Sequence, residues 1–189
     1  MKRIFSLFVI VPLVVVGVLG HPSLTRADQN APELDGLFGQ LKSSISYQEA
    51  APIEQAIWQI WTVRGNPEVD KAMAYGIAAM NAGALRVSAM SFDRVIQLAP
   101  DFAEGWNKRA TVYYMMGRFD ESVSDIQRTL VLEPRHFGAL SGMGLIYDSL
   151  GKSSAAVKIW ERALSIYPQM PGIRDRVEEI HRAMKGKPI

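Results

Sequence analysis

Three glycines, Gly83, Gly117 and Gly151, stand 34 residues apart, and so do three prolines, Pro100, Pro134 and Pro168. Two more columns keep the same step. Gly76, Ala110 and Gly144 are all small, and Phe92, Ile126 and Trp160 are all large and apolar. A chain with a fixed period of this length is built from copies of one supersecondary unit, each stacked on the next.

The central copy, residues 103–136, shows what the unit is. Trp106, Ala110 and Tyr113 recur at helical spacing and share one face of a first helix. Ser122, Ile126 and Thr129 do the same on a second. Gly117 and Arg118 interrupt the pattern between them. Pro134 ends it, because proline cannot continue a helix and constrains the residue before it. A lone hairpin of two such helices cannot bury its apolar faces, so the copies must pack on one another.

In these residues the chain resembles the tetratricopeptide repeat (TPR). Trp106, Ala110 and Tyr113 match the family's first-helix pattern W-x2-L-G-x2-Y, and Leu140, Met143, Gly144 and Tyr147 match it one period later. Ala156, Trp160, Ala163 and Pro168 match the second-helix pattern A-x3-F-x2-A-x4-P. Alanine replaces the glycine at Ala110, and Ala72 and Ala79 stand where the family has large residues. The resemblance covers three repeats, 69–102, 103–136 and 137–170. It implies an all-α, TPR-type solenoid of helical hairpins (an α-α superhelix). The whole chain also resembles small exported TPR proteins of Gram-negative bacteria.

The flanks fit that scheme as expectations. Leu34, Leu37, Phe38 and Leu41 form an apolar stripe, residues 43–51 are expected as a loop, and Pro52 opens a second helix carrying Ile53, Ile57, Trp58, Ile60 and Trp61. Trp58 falls one period before Phe92, although Lys42 takes the small-residue position and Glu54 the alanine position. Residues 33–68 are therefore expected to be a degenerate helix pair capping the N-terminal end. Residues 171–185 put Ile173, Val177, Ile180 and Met184 on one face and charges on the rest, which suits a C-terminal capping helix. An amphipathic membrane helix is disfavoured there because its polar face mixes both charge signs.

Residues 1–27 have the organisation of a secretory signal peptide: Lys2 and Arg3, an uncharged run from Ile4 to Gly20, and small Ala27 before Asp28. The alternative is an uncleaved N-terminal anchor. Cleavage after Ala27 predicts a periplasmic protein; retention predicts a tether to the inner membrane. The formal net charge is +2. Loss of Lys2, Arg3 and Arg26 leaves 18 basic against 19 acidic residues, so the basic balance belongs to the leader. Nucleic acid is accordingly not an expected partner.

Chemistry-bearing constellations are scarce. There are no cysteines and only three histidines, His21, His136 and His181. No phosphate-cradling loop, HExxH or GxSxG occurs. Glu178 and Glu179 are adjacent and diverge on a helix by about 100°. His136 lies between two repeats, where it either caps the preceding carbonyls together with Arg135 and fixes the inter-repeat angle, or touches a ligand at the groove's edge. No catalytic group, metal site or cofactor is expected.

What TPR repeats offer is a concave groove lined by first helices. The resemblance places Met73, Ile77, Met80 and Asn81 of the first repeat there, with Asn107, Lys108, Thr111, Tyr114 and Met115 of the second and Ser141, Leu145 and Asp148 of the third. The basic groove by which some family members clamp a C-terminal carboxylate is not matched beyond Asn107 and Lys108. The function implied is non-enzymatic: an adaptor or scaffold whose groove binds a peptide or helix of a protein partner. A membrane-tethered structural assembly factor, with residues 1–27 as anchor, is the alternative.

Overall fold

The 34-residue step becomes three helical hairpins in the structure, a computed structural model that describes residues 28–185. They pair α3 (Pro67–Asn81) with α4 (Leu85–Leu98), α5 (Ala103–Met115) with α6 (Phe119–Leu132), and α7 (Phe137–Ser149) with α8 (Ser153–Ile166). Before them come α1 (Glu33–Ser43) and α2 (Tyr47–Trp61), and after them α9 (Ile173–Lys185). No strand occurs among the described residues, and the all-α solenoid of stacked hairpins is as expected. The expected leader, residues 1–27, lies outside the described residues. No described helix is long and apolar enough to cross a membrane.

Each conserved step in the period has a mechanical reason. Gly83, Gly117 and Gly151 have φ of 72°, 73° and 70°, left-handed values that cost a residue with a Cβ about 1 kcal/mol. The turn lets the next amide reach back to an orphan carbonyl of the helix end: Arg118 N–H donates to Tyr113 O at 2.8 Å, and Lys152 N–H to Tyr147 O at 2.8 Å. The small column lets paired helices touch. A Cβ on Gly76 would sit 2.7 Å from the Phe92 ring, and one on Gly144 would fall inside the Trp160 indole. Ser88 and Ser122, also one period apart, donate to Gly76 O and Ala110 O at 2.8 Å each and pin the two helices of their hairpins.

Consecutive hairpins share their cores. Val69, Met73, Phe92, Val95, Phe102 and Val112 form one cluster across α3, α4 and α5, and Ala110, Ile126, Ala139, Met143 and Ile146 form another across α5, α6 and α7. Arg109 of α5 bridges two second helices, bonding Asp93 of α4 at 2.6 Å and Asp125 of α6 at 2.7 and 2.8 Å. Hydrogen bonds from Asp125 and Asp93 outweigh the cost of burial and hold that guanidinium firmly protonated. The first helices α3, α5 and α7 stand side by side and form the inner wall.

The N-terminal pair departs from expectation in two ways. First, α2 begins at Tyr47, five residues before Pro52, so the expected loop is short. Ser46 caps it: Ser46 Oγ accepts from Glu49 N–H, and Glu49 Oε2 accepts from the N–H of Ile45, one residue before the cap, at 3.1 Å. Second, residues 33–68 do not stack as a capping repeat on α3. Helix α1 lies against α8, and α2 runs across the loops that join one hairpin to the next. Glu54 accepts from Tyr167 Oη at 2.9 Å beyond α8. Trp61 stacks on His136 at 4.1 Å, and Trp58 meets Phe137 edge-on at 5.5 Å, at the α6–α7 loop. Just past α2, Arg64 pairs with Asp101 at 2.7 Å in the α4–α5 loop and with Asp28. The physical reason lies in the side chains. The loops present His136, Phe137 and Tyr167 to the two tryptophans, whereas the free side of α3 offers chiefly Ala72 and Tyr75. The C-terminal helix does behave as a cap: Ile173, Val177 and Ile180 bury against Ala156, Val157 and Trp160 of α8, while Met184 stays exposed.

Candidate functional site

Between α5 and α7 the inner wall opens into a cleft of about 390 Å³. Its α5 side is Asn107, Ala110, Thr111, Tyr114 and Met115; its α7 side is Gly138, Ala139, Ser141, Gly142 and Leu145. Ser122 and Ile126 of α6 close the floor, and Met170 reaches in from the turn after α8. The size is that of ligand pockets, and no charged side chain lines it. Two apolar side chains at its mouth are open to solvent, Met115 at 49 % and Leu145 at 42 %.

Local sequence explains the shape. Gly138 and Gly142, with Ser141, keep one face of α7 low, so the wall stands back from α5. Trp58 takes up the space over Gly138: a Cβ there would be 2.7 Å from the indole. Tyr114 lines the cleft with one side of its ring, while the other leans on Phe119 at 5.7 Å. Tyr113 turns away to the first hairpin's core, under Arg118 at 4.4 Å.

One end of the cleft is built on a buried polar cluster. Glu104 Oε2 accepts from Asn107 Nδ2 at 3.0 Å and from His136 Nε2 at 2.8 Å, and Oε1 pairs with Lys108 Nζ at 3.0 Å. His136 Nδ1 accepts the Ala139 amide at 3.1 Å, so the ring proton sits on Nε2 and is donated to Glu104. Burial pushes the Glu104 carboxyl up, but the Lys108 ammonium and the His136 N–H together outweigh it and hold it below its usual 4.5. His136 thus caps the start of α7 rather than the carbonyls of the preceding helix. Among the described residues no group of three or more acidic or imidazole side chains could hold a metal ion.

Of the expected groove residues, Asn107, Thr111, Tyr114, Met115, Ser141 and Leu145 come together in the cleft. Three expectations are corrected. Met73 is fully buried in the first hairpin's core. Lys108 is spent on Glu104 and covered by the Trp58 ring at 5.1 Å. Asp148 is held by Arg176 of the capping helix at 2.8 Å. Ile77 and Met80 are half-buried against the first hairpin's core, and Asn81 is exposed at the end of α3, away from the cleft. Gly138 and Gly142 were findable from their spacing of four small-residue positions; Met170 had no sequence signal.

The comparisons with known proteins agree with this architecture. A family model described as the tetratricopeptide repeat matches residues 138–170. A TPR repeat-containing protein of Rhizobium etli is 37 % identical over 153 residues, 81 % of this chain and 75 % of that protein. The chain therefore belongs to the tetratricopeptide-repeat family. Among solved structures, the TPR2B domain of yeast Sti1 in complex with pHsp70 is 14 % identical, with TM-score 0.57 over 65 % of this chain and all of that one. The first TPR of Spaghetti, bound to an HSP90 peptide, is 19 % identical, with TM-score 0.60 over 64 % of this chain and 95 % of that one.

Proposed function

We propose that this protein is a non-enzymatic interaction module that takes an apolar side chain of a partner's peptide or helix into the cleft between α5 and α7. The cleft carries the reading: it is preformed, uncharged, and rimmed by solvent-open Met115 and Leu145. Methionines accommodate irregular apolar shapes. Thr111, Ser141 and the side-chain amide oxygen of Asn107, whose NH2 is given to Glu104, line the cleft as polar contacts for a bound backbone. Proteins of the same fold occur in complex with pHsp70 and with an HSP90 peptide, and the latter supports peptide capture as the mode. The ligand chemistry differs from a terminal carboxylate, because the nearest ammonium, Lys108, already neutralises Glu104. Export to the periplasm is part of the proposal and rests on residues 1–27; a retained leader would tether the same module to the membrane.

A photo-crosslinking residue in place of solvent-exposed Thr111 tests the site. The expected result is one dominant adduct that disappears with Leu145→Glu, while the helical circular-dichroism signal is kept. An adduct indifferent to Leu145→Glu, or none, overturns the cleft as the working surface. For export, a fusion of residues 1–30 to a reporter active only outside the cytoplasm is expected to be active; full-length protein soluble in the cytoplasm overturns that part.

A further inference from the structure

Among the described residues, the first hairpin is stacked upon from one side only. Helix α3 packs with α4 and α5, whereas α1 packs with α2 and α8. Positions one and two periods later show what that open side is built for. Arg109, equivalent to Tyr75, bonds Asp93 of the preceding hairpin at 2.6 Å, and Tyr113, equivalent to Ala79, rests on that hairpin's core. Two periods on, Leu140 and Met143 are buried. On α3 only the middle of these positions is uncovered: Ala79 is buried and Ala72 half-buried, but Tyr75 is 62 % exposed, and beside it the outer side of α4 exposes Met90 at 66 % and Val87 at 41 %. Two shallow hollows flank the Tyr75 ring, of about 360 Å³ towards Lys71 and Leu98 and about 440 Å³ towards Val87 and Met90.

We propose that this face is a homodimer interface, covered by the same face of a second copy across a two-fold axis. Three observations select that occupant. A projecting ring beside hollows is self-complementary, since each Tyr75 can enter the hollow of the other copy, as a two-fold contact requires. The rim carries both signs of charge: Glu68 and Arg94 meet loosely at 3.6 Å, both largely exposed, and are free to exchange partners across the axis. Head-to-tail stacking is not on offer, because α9 covers the far face of the last hairpin and turns charges outward. A closed dimer is the assembly that remains, and it would present two clefts to a multivalent partner.

Analytical ultracentrifugation of the purified full-length chain, from micromolar to about 1 mM, is the test, since weak self-association is populated in that range. The expected result is a monomer–dimer equilibrium that Tyr75→Asp and Met90→Glu each weaken about tenfold or more, with unchanged helical signal. Glu68→Arg alone is expected to weaken it, and Glu68→Arg with Arg94→Glu to restore it. A monomer throughout the range overturns the proposal, as does self-association that survives Tyr75→Asp and Met90→Glu. A monomer whose capture of a foreign helix is lost with Tyr75→Asp also overturns it, by assigning the face to a different partner.

Discussion

At the C-terminal end, α9 lays Ile173, Val177 and Ile180 along α8 and gives its charged back to solvent. At the N-terminal end, α1 and α2 carry larger apolar side chains, including Trp58 and Trp61, yet bypass the open side of α3 and cross the loops of all three hairpins. The difference is one of range. In a solenoid each repeat touches only its neighbours, and α9 keeps to that rule. The α1–α2 pair breaks it, with hydrogen bonds between residues 113 and 125 positions apart, Glu54 with Tyr167 and Ser44 with Gln169. One end finishes a stack; the other ties the stack together.

The largest effect expected from breaking this contrast is at Trp61. Trp61→Ala removes the ring stacked on His136 and packed on Phe38 and Phe137, at a cost of roughly 3–5 kcal/mol. Hydrogen exchange is expected to speed up at all three loops, near residues 101, 136 and 167; a change confined to α2 would show that the pair is not a brace. Ile180→Ala at the other end should cost about 2 kcal/mol. There, faster exchange should stop at α8 and α9, and spread to α2 would erase the distinction.

Glu104 sharpens the comparison further, because its cluster lies where α2 crosses the α6–α7 loop. Its carboxyl is held below the usual 4.5, so its contribution is present at higher pH and is lost as pH falls through the lowered folded value. Unfolding measured against pH should show this acid limb, and Glu104→Gln should flatten it. At neutral pH that variant should cost about 1–2 kcal/mol, since Lys108 is left under Trp58 without its carboxylate. The smallest effect is expected at Tyr75. In dilute solution Tyr75→Ala should shift stability by no more than about 0.5 kcal/mol, because the ring covers little of its own chain. Met143→Ala, the same position two periods on, should cost about 2 kcal/mol or more. Equal effects would mean that the open face is covered within one chain.

Much of the architecture was written in the period. A helical hairpin is a local object: its glycine turn, its small contact residue and its closing proline lie within 34 positions, and chirality and sterics act there irrespective of the rest of the chain. For the same reason the stripe of Asn107, Thr111, Tyr114 and Met115 was legible as one face of α5. Which stripe residues stay open was not. Met73 is buried by Phe102 and its neighbours, Lys108 is taken by Glu104 beneath Trp58, Asp148 is claimed by Arg176, and Met170 enters the cleft from a distant turn. The place of α1 and α2 was likewise decided only in three dimensions. Their spacing matched a repeat, but docking depends on which surface offers aromatic partners and charge pairs to Trp58, Trp61 and Arg64, and that surface exists only once three hairpins have stacked.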